Sequence, residues 1–126
     1  MKYLFVINDP PYGTERCFNA LRLAMALLKE DEKPKITVFL MADAVLAAKA
    51  GQKTPDGYYN LATMLKGVVR HADVLLCGTC LDARGVDKHE LVGGAKRSTL
   101  PTHARGRQGP GLLTDLGFPT QGDKIE

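Results

Sequence analysis

The chain has little of what a nucleic-acid-binding protein needs. Its 126 residues include no tryptophan, aromatic residues make up 6% of the sequence, and the net charge is only +3. The lysines and arginines are scattered along the chain rather than gathered into a basic tract. Recognition of nucleic acid draws on clustered positive charge and, for single strands, on aromatic stacking platforms. We therefore expect no nucleic-acid partner.

Long hydrophobic runs are also lacking. No apolar stretch approaches the roughly 20 residues that span a bilayer, and the stretch after the first methionine is too short for the core of a signal peptide. Three cysteines are too few for a disulfide framework. The sequence predicts a cytoplasmic protein without a membrane partner, in which the cysteines are free thiols, redox groups or metal ligands.

What the sequence does contain is a series of short apolar runs. Continuous runs at 4–7, 36–41 and 74–77 are typical of strands buried in a parallel sheet. A fourth, shorter strand is predicted at Ala95–Ser98. The runs are too short for buried helices and end in turn-forming residues, which favours strands.

Helical periodicity alternates with these runs. The first helical pattern covers 14–28, with Thr14 as its N-cap and Cys17 on its apolar face, and others cover 42–50 and 58–71. Strand and helix in alternation predict an α/β fold. We expect a three-layer α/β/α sandwich around a mainly parallel sheet.

The end of the chain differs from the rest. Residues 101–126 hold five of the thirteen glycines and three of the seven prolines, and they show no helical or strand period. This composition predicts an irregular tail, with a short turn at 112–116, after one domain at 1–100.

The stretch with the clearest chemistry is Cys77-Gly78-Thr79-Cys80, a C-x-x-C at the end of a predicted strand. In parallel α/β sheets, ligands bind at the carboxyl ends of strands. The amides at the start of a following helix favour a thiolate, and Arg84 is close enough in sequence to add positive charge. The motif therefore predicts a nucleophilic thiol.

Three other interpretations of the C-x-x-C remain open. It is a dithiol redox switch if the two thiols form a reversible disulfide. A zinc site needs two further ligands, and neither a second C-x-x-C nor a suitable histidine spacing supplies them. Free cysteines are also frequently buried packing residues, in which case the strand edge serves as a binding module without catalysis.

Other polar and glycine residues are expected at the same sheet edge. They follow the first and second strands or flank the cysteines, and Asp82 is expected to pair with Arg84 or to leave that arginine to a neighbouring subunit. We predict that Cys77 and Cys80 are the catalytic residues and that the site is lined by Asp9, Tyr12, Gly13, Thr14, Asp43, Gly78, Thr79 and Arg84.

Two motifs carry a family resemblance. Tyr12-Gly13-Thr14 opens the first helix, and Cys77 lies seven residues before Arg84-Gly85. Over residues 2–100 the chain resembles the DsrE/DsrF-like family of sulfur-relay proteins, which includes the TusD and YchN types. The resemblance implies that Cys77 is the persulfide carrier, while Cys80 falls where relay subunits often have another residue.

The resemblance implies further properties. These are an α/β/α sandwich, a homo-oligomer of three or six subunits, and sulfur transfer as a persulfide without a bound cofactor. The partners would be sulfur donor and acceptor proteins or small thiols. Residues 101–126 depart from the family pattern, because glycine- and proline-rich sequence stands where a helix and a last strand are expected.

Overall fold

The computed structural model describes residues 2–99 and the backbone of a strand at 112–114. Strands and helices alternate along the first part of the chain, as the apolar pattern predicts. The strands are β1 (Lys2–Ile7), β2 (Lys35–Leu40), β3 (Asp73–Cys77), β4 (Ala95–Ser98) and β5 (Leu112–Thr114); the helices are α1 (Arg16–Leu27), α2 (Leu61–Val68) and α3 (Gly78–Ala83), with 3₁₀ helices at Ala42–Ala48 and Lys88–Glu90.

The described strands form one sheet in the order β4-β3-β2-β1-β5, and every pairing is parallel. The chain moves one strand sideways at each step from β1 to β4. Because parallel connections are right-handed, these steps put their helices on one face of the sheet. The predicted α/β class with a mainly parallel sheet is confirmed.

Two apolar clusters cover the two faces of the sheet. The larger one joins alternate strand residues such as Ile7, Val38 and Leu76 to buried residues of the helices, including Leu21 and Leu65. Burial of one such side chain contributes roughly 1.5–3 kcal/mol, so this cluster supplies most of the driving force for folding. Cys17 is fully buried in it, which confirms its interpretation as a core residue.

The second cluster lies on the opposite face. Leu4, Phe39 and Cys77 come from β1, β2 and β3 and pack together, with Met41 and Cys80 at the margin. The alternation of side chains along a strand explains the split, because neighbours in sequence point to opposite faces. Cys77 is therefore placed on the face away from α1 and α2.

Several predicted local features need correction. Thr14 is not the N-cap of α1; Glu15 occupies that position, and the Thr14 hydroxyl accepts a bond from the backbone N–H of Arg16 instead. The predicted helix at 42–50 is a 3₁₀ helix, and the pattern at 58–71 gives a helix only from Leu61 to Val68. Asn60 caps α2 by accepting from the N–H of Thr63, which explains its later start.

The predicted tail contains one described element. Leu112–Thr114 form a strand in register with β1, where the composition predicts a turn. Pairing along β1 stabilises an extended segment that local sequence does not favour, since a sheet edge offers backbone partners to a chain of almost any composition. Residues 100–111 and 115–126 lie outside the described residues, and the domain boundary at 100 stays a prediction.

Candidate functional site at the carboxyl edge of the sheet

Cys77 sits at the junction of β3 and α3. It is the last residue of β3 and the N-cap of α3, so strand passes to helix without a loop. Only 6% of its surface is exposed, since Leu4 and Phe39 pack against it.

Cys80 lies one turn further along α3 and is more exposed than Cys77. The side chains of Cys77 and Cys80 are close enough to interact, so both thiols lie at the same part of the sheet edge. The backbone N–H of Ala42 donates to Cys80 Sγ at 3.1 Å. Ala42 has a φ of 50°, a left-handed conformation that costs an alanine about 1 kcal/mol. In this conformation its N–H points at the Cys80 sulfur.

The surroundings of Cys80 change its acidity. Burial raises the pKa of Cys80, and its hydrogen bond with Cys77 acts in the same direction. The Ala42 N–H and the charge of Arg84 oppose this shift without cancelling it.

Arg84 lies beside Cys80. Its Nε donates to Asp43 Oδ1 at 2.8 Å, and its Nη1 donates to the carbonyl oxygen of Cys80 at 3.1 Å. Gly85 follows with a φ of 62°, and the bonds Gly85 N–H to Asp82 O and Val86 N–H to Leu81 O form a Schellman motif. The glycine is needed because the C′ residue is left-handed, and the short helix that results holds Arg84 over Cys80.

Arg97 lies over Gly78, the residue that follows Cys77. It belongs to β4, and its guanidinium donates to both carboxylate oxygens of Asp82 at 2.8 and 2.7 Å. The same guanidinium covers Gly78, because a Cβ built there would stand 2.8 Å from Arg97 Cζ and Nε. The hydrogen bonds from Arg97 hold the pKa of the Asp82 carboxyl below its usual range.

The prediction that Asp82 pairs with Arg84 is therefore wrong. Each residue pairs across the fold instead, Asp82 with Arg97 and Arg84 with Asp43. Proximity in sequence misleads here because α3 ends between them and turns the two side chains apart. Asp43 lies at the carboxyl edge of the sheet, as predicted. It follows the end of β2, and Cys77 ends the neighbouring parallel strand β3.

Sequence reasoning missed Arg97 and Ala42. For Arg97 a signal existed, because a fourth parallel strand at Ala95–Ser98 ends at the same edge as β3. Nothing in the sequence points to Ala42, whose role comes from its backbone N–H and its left-handed conformation.

The loop after β1 is held mainly by its own bonds and by α2. The Tyr12 hydroxyl donates to Gln52 Oε1 and accepts from the N–H of Leu61, and its ring stacks on Tyr59 at 5.8 Å. These bonds tie Tyr12 to the start of α2, and no bond of Tyr12 leads to either thiol.

The remaining predicted lining residues lie at the surface. The Thr14 hydroxyl donates to Asp9, which also pairs with Arg16 at 3.6 Å. Gly13 has a φ of 101°, and Thr79 is exposed on α3. Three of the predicted lining residues lie next to the cysteines. Gly78 directly follows Cys77, Arg84 bonds to the Cys80 carbonyl, and Asp43 bonds to Arg84.

Within the part of the chain that the structure describes, no three histidine, cysteine or acidic side chains are grouped to hold a metal ion. No described helix is long and apolar enough to cross a membrane. A cleft of about 440 Å³ lies beside the site, with Leu81, Val86 and Leu91 as its apolar wall and Asp82, Lys88 and Arg97 among its charged residues.

Comparison with known proteins gives a consistent result. The model of the DsrE/DsrF-like family matches residues 1–106. Protein YchN of Escherichia coli K12 is 42% identical over 100 residues, which covers 79% of this chain and 85% of that protein. An uncharacterised protein of Methanocaldococcus jannaschii is 37% identical over 101 residues, covering 79% of this chain and 86% of that protein.

Solved structures agree on the fold. The crystal structure of YchN from E. coli superposes with a TM-score of 0.80 at 37% identity, covering 90% of this chain and 99% of that one. A protein of unknown function from Methanobacterium thermoautotrophicum gives a TM-score of 0.65 at 17% identity, covering 90% of this chain and 97% of that one. The second likeness concerns the fold alone.

Proposed function

Because the chain belongs to the DsrE/DsrF-like family, we propose that it is a sulfur carrier that holds a persulfide on Cys77 and passes the sulfur to an acceptor thiol. The observation that carries the proposal is the position of Cys77, which ends β3 and begins α3 at the carboxyl edge of the sheet. Parallel α/β sheets bind their ligands at this edge, which supports Cys77 as the reacting thiol. Cys80 lies near enough to interact with it.

Loading is a thiol exchange reaction. The Cys77 thiolate attacks the outer sulfur of a donor persulfide, a new S–S bond forms to Cys77, and the donor's S–S bond breaks. The donor leaves as a thiolate, so no oxidant or reductant is consumed. Delivery repeats the step, because an acceptor thiolate takes the outer sulfur and Cys77 returns to a thiolate.

Cys80 offers a second way to discharge the carrier. After giving up its proton, it attacks the inner sulfur of the Cys77 persulfide and displaces hydrogen sulfide, leaving a Cys77–Cys80 disulfide. A thiol reductant must then restore both thiols. The raised pKa of Cys80 supports a slow step of this kind near neutral pH, which favours the loaded state of Cys77.

Mass spectrometry of the intact protein and of its peptides tests the function. Incubation with a low-molecular-weight persulfide should add about 32 Da, one sulfur atom, to the peptide that contains Cys77. Cys77→Ser should lose the adduct, and Cys80→Ser should keep it. An unmodified wild-type protein, or an adduct that survives Cys77→Ser, would show that Cys77 is not a carrier.

A dithiol redox switch is the second candidate, and the same thiol contact favours it. It predicts a reversible Cys77–Cys80 disulfide without any sulfur adduct. Titration with reduced and oxidised dithiothreitol, followed by mass analysis, separates the candidates. A disulfide in the absence of persulfide donors supports the switch.

The proposal extends to setting and assembly. Free-thiol chemistry is suited to the reducing cytoplasm, and we place the protein there, with donor and acceptor proteins or small thiols as partners. We also propose a homo-oligomer of three or six subunits. Light scattering on the purified protein tests it, since a monomer mass at micromolar concentration contradicts it.

A further inference from the structure

We infer that Arg97 is a positioning residue that stabilises the anionic sulfur on Cys77, and that position 78 must be glycine to admit its guanidinium. The inference rests on the proposed function, in which Cys77 reacts as an anion.

The geometry of Arg97 supports this role. Its guanidinium lies against Gly78, the residue directly after Cys77, at a distance that leaves no space for a Cβ. Gly78 does not have a left-handed φ, so its missing side chain is explained by this close approach rather than by a turn. Register pairs Arg97 with Leu76, so its side chain leaves β4 on the face of the sheet opposite to that of Cys77, and its guanidinium reaches the end of β3 from the side of α3, over Gly78.

Asp82 fixes the orientation of this arginine. Two parallel N–H···O bonds of 2.8 and 2.7 Å form a planar fork that a lysine does not reproduce. The hydrogen bonds with Asp82 raise the pKa of Arg97, and its electrostatic interaction with Cys77 acts in the same direction. Arg97 therefore keeps its charge beside Cys77 while Asp82 holds it in place.

The other charged groups near the end of β3 are bound to other partners or lie further from the edge of the sheet. Arg84 is engaged by Asp43 and by the Cys80 carbonyl. Lys96 pairs in register with Leu75, one residue further from the edge. The titratable and charged groups on elements that pack against the end of β3 are Asp43, Cys80, Asp82, Arg84, Lys96 and Arg97.

Alkylation of the full chain at a series of pH values tests the inference, with the modified Cys77 peptide quantified by mass spectrometry. Arg97→Gln should slow the alkylation of Cys77 at pH 7 about threefold, because a nearby positive charge favours the reacting anion. Arg97→Lys should have a smaller effect. High salt should reduce the difference from wild type, because the guanidinium is partly exposed.

Gly78→Ala gives an independent test. The new Cβ should displace the flexible end of Arg97 rather than the backbone, so its profile should resemble that of Arg97→Gln. The double variant should shift no further than either single variant. Arg70→Gln is the matched control, because it removes an equal charge at the opposite edge of the sheet, before the start of β3, and should leave the profile unchanged.

The outcomes separate this inference from the proposed function. An Arg97→Gln profile that superposes on that of wild type or of Arg70→Gln overturns the role of Arg97, whatever the persulfide assay shows. A shift in Gly78→Ala without one in Arg97→Gln assigns the effect to the backbone and also overturns it. A wild type that takes up no sulfur refutes the carrier function but leaves the profile as a valid test of Arg97.

Discussion

Cys77 and Cys80 stand three residues apart, yet their surroundings differ in burial and in hydrogen bonding. Cys77 is buried by Leu4 and Phe39. Cys80 is partly exposed, and its sulfur accepts a hydrogen bond from the Ala42 N–H. The difference teaches that a C-x-x-C spacing alone does not define two equivalent thiols, because each takes its properties from a different neighbour in the fold.

Two arginine–carboxylate pairs extend the same contrast. Arg97 pairs with Asp82 over Gly78, and Arg84 pairs with Asp43 beside Cys80. Asp82 lies in α3, and its partner Arg97 lies in β4. Arg84 directly follows α3, and its partner Asp43 lies in the 3₁₀ helix after β2. The pairs therefore connect the site to three different elements of the sheet edge.

The largest effect that distinguishes the two cysteines is expected from their replacement by serine. Cys77→Ser should abolish persulfide loading, whereas Cys80→Ser should load fully and discharge more slowly into the medium, because the internal attack is lost. Sulfide release from the loaded protein, measured over time, checks the second part. Equal loss of loading in both variants would contradict the assignment of a single carrier.

The two cysteines also differ in burial, and a substitution beside Cys77 can reduce this difference. Phe39→Leu should lower the free energy of unfolding by about 1–2 kcal/mol and speed alkylation of Cys77, because space opens beside its sulfur. Phe5→Leu is the control, since Phe5 is equally buried on the opposite face. Denaturant unfolding should give similar losses for both variants, and an equal increase in Cys77 alkylation for both would contradict this explanation.

The surroundings of Cys80 depend on the end of α3. Gly85→Ala should lower the free energy of unfolding by about 1 kcal/mol, since alanine is strained at a φ of 62°. Gly67→Ala is the control in the last turn of α2, where a Cβ meets no atom within 4 Å and should raise stability slightly. Thermal unfolding checks the opposite signs, and a loss in both variants would refute the strain argument.

The smallest effect concerns pH. The pKa of Cys80 is raised in the folded protein, so the folded state holds its proton where the unfolded thiol has lost it. The stabilisation is complete below the pKa of the unfolded thiol, about 8.5, and is lost as pH rises through the folded value. Urea unfolding at about pH 7 and pH 9.5 should show a decline that is smaller in Cys80→Ser. An identical decline in both proteins would contradict a contribution from Cys80.

Much of the fold follows from local patterns in the sequence. The runs around Phe5, Val38 and Leu76 are largely apolar, because side chains on both faces of these strands are buried, and their lengths exclude buried helices. The position of Cys77 at the carboxyl edge was predictable from the same pattern. Asp43 was predictable too, since it follows the next strand of a parallel sheet.

The parts that sequence did not predict depend on contacts between distant segments. Arg97 belongs to a short polar strand, and its bond to Asp82 arises only when β4 pairs with β3. The site role of Ala42 depends on its backbone conformation, which alanine does not favour by itself. Tyr12 was expected near the thiols, but its bonds to Gln52 and Leu61 tie it to α2.

The pair formed by Arg97 and Asp82 has a further consequence for how the edge of the sheet assembles. The four residues of β4 include Lys96, Arg97 and Ser98, so hydrophobic burial does little to choose their alignment with β3. A slip by one residue would move Arg97 to the face that carries the Cys77 side chain and separate it from Asp82 on α3. The bidentate bond therefore fixes the strand registry, and the arginine that covers Gly78 also determines how the last strand of this edge is aligned.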